Sequence, residues 1–227
     1  MTGTIVNTGA ILAGGLIGLA AGRRIPERLK QILMQALGLS TLLIGMQMAL
    51  STKGIIPVVG SLLLGALTGE AFRIEDRLEW LGAWLKKRAG SDSSTFVEGF
   101  VTASLLYCTG AMVIVGAIQD GTTGNAQTLY IKAMLDGVAS MAFASTLGMG
   151  VLFSAASVFL VQGAVTMLAA QLAFLQEPAV LAAITGSGGL LICAISINLL
   201  NMARIRVGNL LPSLLYAVLW ALLSSPL

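Results

Sequence analysis

The sequence contains no histidine, and only 10% of its 227 residues are charged. The absence of histidine removes the commonest general base, the commonest metal ligand and the usual pH switch. Serines are present without a histidine to activate them, and neither a metal-ligand cluster nor a phosphate-binding loop occurs. We therefore expect a protein that is not an enzyme, with no catalytic residues, no bound metal and no cofactor.

Cysteine is also scarce, since only Cys108 and Cys193 are present and both lie inside apolar runs. We interpret them as small core residues and expect no disulfide. The net charge of +3 comes from basic residues in short segments between the apolar runs. This distribution is typical of membrane topology signals, so we expect no nucleic-acid partner.

Apolar residues dominate the chain, at 56% of the total, with a mean hydropathy of +0.91. Soluble domains carry roughly 25% charged residues, and a transmembrane helix needs about 20 apolar residues. The length therefore predicts an all-α polytopic bundle of about eight helices in a lipid bilayer. The predicted helices are 4–22, 32–50, 55–71, 97–118, 131–149, 151–173, 180–201 and 207–225.

We interpret the chain as a single membrane domain over residues 1–227. Its predicted parts are helices one to three in 1–71, a cytoplasmic amphipathic helix with its linker in 72–96, glycine-broken helices four and five in 97–149, and helices six to eight in 150–227. Only Gly148-Met149-Gly150 separates helices five and six, where the apolar run is too long for one span.

Charge placement favours eight spans with the N-terminus and the C-terminus both outside. Eleven basic residues then lie inside, against Lys53 and Lys132 outside, which is a strong positive-inside bias. The inside set is Arg23, Arg24, Arg28, Lys30, Arg73, Arg77, Lys86, Lys87, Arg88, Arg204 and Arg206. A seven-helix count would place Arg204 and Arg206 outside, so it explains the charges less well.

The connection between helices three and four contains a helical pattern over Arg73–Arg88, where leucines and isoleucine recur on one face beside Trp80 and Trp84. This pattern predicts an amphipathic helix on the cytoplasmic lipid surface, with Lys86-Lys87-Arg88 near acidic head groups. The alternative is a soluble helix that caps the bundle.

A sparse internal repeat relates helices one to three to helices six to eight at an offset of 151 or 152 residues. Pro26 matches Pro178, and Gly38 matches Gly189. Because the offset within each pair is five helices, an odd number, the two copies would be inverted in the membrane, as in many transporters. Matches this sparse also arise by chance between two apolar sequences.

The first candidate site is the run Gly110–Gly121, in which Gly110 and Gly116 bracket five apolar residues before Asp120-Gly121. Glycine in a membrane helix permits close packing or local unwinding, and unwound carbonyls can hold cations. The alternative is tight helix packing, with Asp120 in an exterior turn.

The second candidate is Asp136 inside an apolar stretch, where it lies four residues from Lys132 and four from Ser140. An intramembrane acid is costly and is therefore a functional candidate. The alternative is an anchor at the outer water boundary, paired with Lys132.

Amides within apolar segments form a third group, which either lines a pathway or joins helices by hydrogen bonds. They are Gln47, Gln162, Asn198, Asn201 and Asn209. Small-residue ridges at Gly14-Gly18-Gly22 and Gly65-Gly69 favour helix packing or self-association as a homo-oligomer.

Several runs together resemble the bacterial DUF554 family, also described as YqgA/YdfK-like membrane proteins. The runs are Gly110–Gly121, Lys132–Ser140, Ala144–Ser154, Val161–Gly163 and Asn198–Pro212. The resemblance covers essentially the whole chain and implies a multi-pass protein of the bacterial inner membrane, without a known substrate. The runs contain Asp120, Asp136, Gln162, Asn198 and Asn209.

Two hypotheses follow. The first is a transporter or channel for a small solute or ion, whose pathway comprises Asp136, Asp120, Gln162, Asn198, Ser140, Gly110 and Gly116. The second is a scaffold or partner subunit. A transporter should present Asp136, Asn198 or Gln162 to a hydrated cavity, whereas a scaffold should hold them hydrogen-bonded in a dry interior.

Overall fold

The computed structural model describes residues 1–22, 24–52 and 54–224, so Arg23, Lys53 and the end of the predicted eighth helix at 225 lie outside the described residues. Within them the chain forms ten α-helices. They are α1 (Thr2–Gly22), α2 (Glu27–Leu50), α3 (Ile55–Phe72), α4 (Ile74–Arg88), α5 (Phe96–Cys108), α6 (Ala111–Thr122), α7 (Gln127–Leu147), α8 (Gly150–Met167), α9 (Pro178–Leu199) and α10 (Ser213–Ser224).

The predicted all-α polytopic bundle is confirmed. Six helical segments of the described chain are long and apolar enough to cross a membrane, and α5 with α6 makes a seventh if this bent pair is one span. Helix α7 has the length of a span but carries Lys132 and Asp136, which lower its hydropathy. The eight-span count therefore depends on both α7 and the bent pair α5–α6, and it remains a prediction.

Glycine breaks were predicted in helices four and five, and the structure has such a break in helix four alone. The predicted helix 97–118 is two helices, α5 and α6, bent by 62°. Gly110 lies at the break with a φ of +137°, a conformation that glycine adopts easily. Helix five is not broken, because α7 continues through Gly137. The predicted break before helix six is confirmed at Gly148, which has a φ of +80°.

Contacts group the residues into two compact units. The first contains Met1–Ala36, Glu79–Cys108 and Met112–Leu172; the second contains Leu37–Leu78, Thr109–Ala111 and Ala173–Leu227.

In the first unit, α1 and α7 pack in parallel along the predicted glycine ridge. A Cβ added at Gly14 would collide with the carbonyl of Gly137, and one at Gly18 would collide with the carbonyl of Met141. The contacts move in the same direction along both helices, so the helices are parallel. Their backbones come close together because small residues permit close approach in membranes. Helices α5 and α8 are also parallel, with Phe96 against Gly150 and Ser104 bonded to Ser157.

Three other helix pairs are antiparallel. Helix α1 packs on α8, with Thr4 near Thr166 and Gly15 near Leu152. In the second unit, α2 packs on α9 and α3 packs on α10. The contacts join Gly38 to Leu200, Gly45 to Cys193, Gly65 to Ser213 and Gly69 to Asn209. Each pair joins two helices that the proposed inverted repeat would relate to each other.

Helix α4 occupies the position predicted for the amphipathic helix. Trp80 is 69% exposed, and the Arg88 guanidinium lies 5.5 Å from the centre of the Trp84 ring. Gly82 faces inward against Val97 of α5. Exposed tryptophans beside basic residues favour the lipid-surface interpretation, which remains a prediction.

Candidate functional site

A cluster of buried polar side chains joins α1, α7 and α8 in the first unit. The Asn7 Nδ2 atom donates to Asp136 Oδ2 at 3.0 Å and to Gln162 Oε1, also at 3.0 Å. The Lys132 ammonium forms an ion pair with the same Asp136 oxygen. One amide of α1 therefore connects an acid of α7 with an amide of α8.

The cluster extends through hydroxyl groups along the α1–α8 contact. Gln162 Nε2 donates to Thr4 Oγ1 at 3.1 Å, and the hydroxyls of Thr4 and Thr166 are 3.2 Å apart. Thr166 also donates to the carbonyl of Gln162. We call the set Thr4, Asn7, Lys132, Asp136, Gln162 and Thr166 the polar centre.

The polar centre is almost completely removed from the surface. Asn7 is 0% exposed, Gln162 is 1% exposed, and Lys132 and Asp136 are 6% and 8% exposed. Asn7 Oδ1 has no hydrogen-bond partner. Burial of polar groups is costly unless they are hydrogen-bonded, so the ion pair and the free acceptor represent a substantial cost within an apolar bundle.

A second hydroxyl pair adjoins the ion pair. The Ser140 hydroxyl, one turn beyond Asp136, donates to the Tyr107 hydroxyl of α5 at 2.9 Å. The Lys132 ammonium lies 5.9 Å from the centre of the Tyr107 ring, within the range of a cation–π contact. Ser140 therefore lies next to the polar centre, and its predicted role in a pathway stays a prediction.

Asp120 does not lie in an exterior turn, and the structure corrects that alternative. It is buried in α6, where its carboxylate accepts a hydrogen bond from the Gly3 backbone N–H and pairs with the Met1 amino group, both at 3.0 Å. The first N–H groups of a helix lack partners within it and favour a negative charge. These contacts explain why Asp120 can be buried, without any need for a bound solute.

Asn198 belongs to the second unit and is not part of the polar centre. Its side chain donates to the carbonyl of Ile205 and accepts from the N–H of the same residue. These two bonds close the turn that follows α9. The position of Asn198 is therefore explained by its role in closing this turn. A single amide in an apolar segment of the sequence does not reveal that role.

Asn209, also in the second unit, ties the start of α4 to the segment before α10. Its Nδ2 donates to Glu70 at 2.6 Å, and its Oδ1 accepts from the Glu75 N–H at 2.7 Å. Glu75 in turn accepts from the Gly208 N–H, and Arg206 pairs with Glu70 at 2.9 Å.

The glycines singled out in the sequence act in packing. Gly110 permits the α5–α6 break, whereas Gly116 allows α6 to approach Leu129 of α7. The ridges of α1 and α3 face helices of the same chain. They therefore provide no support for a homo-oligomer, which remains a prediction without an assigned surface.

The sequence analysis missed Asn7, Thr4 and Tyr107. Asn7 is an amide within an apolar helix, the same signal that identified Gln162, and it should have been included. Thr4 and Tyr107 carry no such signal, because single hydroxyls are common in membrane helices.

By the criterion set above, Asp136, Gln162 and Asn198 show the closed arrangement, since all three are hydrogen-bonded to neighbours. This conformation does not present them to an open pathway. A transport function therefore requires that the polar centre opens in another conformation.

Comparison with known proteins identifies close relatives in sequence. The chain is 33% identical over 219 residues to the uncharacterized membrane protein YdfK of Bacillus subtilis (strain 168), which covers 95% of this chain and 93% of YdfK. It is 29% identical over 221 residues to the uncharacterized protein YqgA of Escherichia coli (strain K12), covering 95% and 94%. No solved structure matches.

The family model described as a protein of unknown function, DUF554, matches residues 2–222. The relative named as a membrane protein agrees with the apolar helices of the structure. The chain is therefore a multi-pass membrane protein, and it belongs to the DUF554 family.

Proposed function

We propose that this protein transports a small solute or ion across the bacterial inner membrane, and that the polar centre is the binding region. The observation that carries the proposal is the Lys132–Asp136 ion pair, held by Asn7 at the junction of three helices. Ionisable residues inside membrane segments mark solute and ion pathways in many transporters.

Helix adhesion alone is a poor explanation for this pair. Aspartate costs about 2.5–3.5 kcal/mol at the centre of a membrane helix on the insertion scale, and Asp136 lies near the middle of α7. Well-packed apolar residues often replace a buried ion pair without loss of stability. The α1–α7 contact already has its glycine ridge, so the charges must serve a purpose beyond joining these helices.

The helix arrangement supports transport in two further ways. Antiparallel packing of α1 on α8, α2 on α9 and α3 on α10 agrees with an inverted repeat, and broken helices such as α5–α6 accompany such repeats in transporters.

The parallel packing of α1 and α7 supports the eight-span topology. If α2 and α3 each cross the membrane, α7 can run parallel to α1 only when the bent pair α5–α6 also crosses it. A re-entrant pair would return the chain to the same side and reverse α7. Eight crossings would put both termini on the same side of the membrane, and the positive-inside bias favours the outside for them.

The second candidate function is a scaffold or partner subunit that transports nothing. The closed hydrogen bonding of Asp136 and Gln162 favours it, because a static bundle requires every buried polar group to have a partner. Within the polar centre, the unpartnered Asn7 Oδ1 is a group that a scaffold leaves unexplained.

Proteoliposomes test the proposal. Purified protein is screened by solid-supported-membrane electrophysiology with Na⁺ and proton jumps, and by uptake of a panel of radiolabelled amino acids. We expect a signal that Asp136→Asn abolishes and that Asp92→Asn, in an exposed loop, leaves intact. A complete absence of flux, or flux that both variants retain, contradicts the proposal.

A further inference from the structure

We infer that the polar centre binds a small monovalent cation, with Na⁺ as the probe, and that the Lys132 ammonium occupies that site as an internal competitor. The inference rests on the proposed transport function and names the class of ion. In this structure the cation at Asp136 is supplied by the chain itself.

The polar centre is rich in oxygen acceptors. It contains the Asp136 carboxylate, the Gln162 carbonyl oxygen and the Thr4 hydroxyl, all on helices that meet at Asn7. Carboxylate, amide and hydroxyl oxygens are the ligands that hard cations prefer. The unpartnered Asn7 Oδ1, on a side chain with no surface exposure, adds an acceptor that no protein donor uses.

Charge balance explains why binding must be competitive. Asp136 carries one negative charge, and Lys132 already neutralises it. The Met1 amino group pairs instead with Asp120. A cation that entered while Lys132 stayed in place would leave an excess positive charge in an apolar bundle, which is strongly disfavoured. The ammonium must therefore leave when the ion arrives.

The position of Lys132 allows this exchange. It lies five residues after the first residue of α7, about 7.5 Å along the axis at 1.5 Å per residue. A lysine near a helix end can extend its four-carbon stem toward the water boundary. Occupation of Asp136 by an external ion and withdrawal of Lys132 then form one step that couples ion binding to the opening of the polar centre.

Thermal unfolding of the purified full chain in detergent tests the inference, with NaCl compared to choline chloride at equal ionic strength. Lys132→Gln removes the competitor, so Na⁺ should raise the Tm of this variant at a half-maximal concentration about tenfold or more below that of the wild type. The tenfold factor follows if Lys132 occupies the site for nine-tenths of the time or more, because at most one-tenth of the wild-type protein is then free to bind Na⁺. Adding Asp136→Asn should abolish the Na⁺ effect.

Lys87→Gln is the matched control, because it removes an exposed lysine from α4 and should behave as the wild type. If Lys132→Gln does not fold, scintillation-proximity binding of radioactive sodium to the wild type decides the question. The inference is supported if unlabelled Na⁺, but not choline, displaces the bound radioactive sodium, and if the Asn7→Ala variant no longer binds it.

Equal Tm values of Lys132→Gln in NaCl and choline chloride, or no displaceable sodium on the wild type, overturn the inference. Flux in proteoliposomes without any Na⁺ effect leaves transport intact and refutes the cation site alone. A Na⁺ effect without flux supports the cation site and refutes transport.

Discussion

Replacement of Lys132 by methionine should destabilise the protein strongly, because it leaves the Asp136 carboxylate buried without its cation. Loss of one partner from a buried ion pair costs about 3–5 kcal/mol. Asn7 still donates to Asp136 Oδ2 in the variant, so we expect a value near the lower limit. At roughly 2–4 °C per kcal/mol for a chain of this size, a loss of about 3 kcal/mol lowers the Tm by roughly 6–12 °C.

The assay is thermal unfolding by tryptophan fluorescence in detergent and choline buffer, arranged as a double-mutant cycle. Asp136→Asn alone should be destabilising by a smaller amount, since the Lys132 ammonium loses its counter-charge but can extend toward the water boundary. The double variant removes both charges and should recover much of the loss, which gives a coupling energy of about 2 kcal/mol or more. Lys87→Met and Asp92→Asn, at exposed positions, serve as controls.

Additive losses in the double variant would refute the reasoning, because they would mean that Lys132 and Asp136 do not interact within the folded protein. A Tm of Lys132→Met equal to that of the wild type would refute it as well. In that case the carboxylate would have to be hydrated or protonated, and the ion pair would not organise the polar centre.

Three further changes test the packing and the backbone by the same unfolding assay. Gly18→Leu should cost about 1–3 kcal/mol or more, because the new side chain meets the Met141 carbonyl, whereas Gly9→Leu points into open space and should be nearly neutral. Asn209→Ala should cost about 1–3 kcal/mol, since it removes the hydrogen bond to the exposed Glu70 carboxylate and leaves the Glu75 backbone N–H without its acceptor. Gly110→Leu should cost about 1–3 kcal/mol from its positive φ, and an unchanged Tm would show that this bend does not persist.

Helix positions were predictable because hydropathy alone separates apolar segments from charged turns. The glycines at Gly14 and Gly18 were correctly linked to packing, since small side chains signal close approach whatever the partner. The partner itself was not predictable. Two parallel helices separated by more than a hundred residues leave no local pattern in either segment.

The polar centre shows the same limit. Lys132 and Asp136 lie four residues apart on one helix, so their pairing was evident from spacing. The Asn7–Asp136 bond spans 129 residues, and only the folded structure brings the two together. Asp120 was misplaced for a related reason: an Asp-Gly pair is typical of turns, and its true donors come from the start of α1.

The bend at Gly110 was only partly predictable. A glycine marks where a membrane helix can unwind, but many such glycines stay helical, as Gly116 and Gly137 do. What distinguishes them is packing, because both allow a neighbouring helix to approach closely. The local sequence does not indicate whether a given glycine permits a bend or permits close packing of a neighbouring helix.

If the polar centre is a binding region, water or solute must reach it, and thiol accessibility measures this. Ser140 is fully buried and bonds to Tyr107, whereas Ser196 is equally buried and bonds to the Gly38 carbonyl. Each is replaced by cysteine in a Cys108→Ser, Cys193→Ser background, and proteoliposomes are exposed to a charged methanethiosulfonate, which reacts only where water enters. We predict that Ser140→Cys is modified and Ser196→Cys is protected. Equal protection of both cysteines would mean that water does not reach the polar centre.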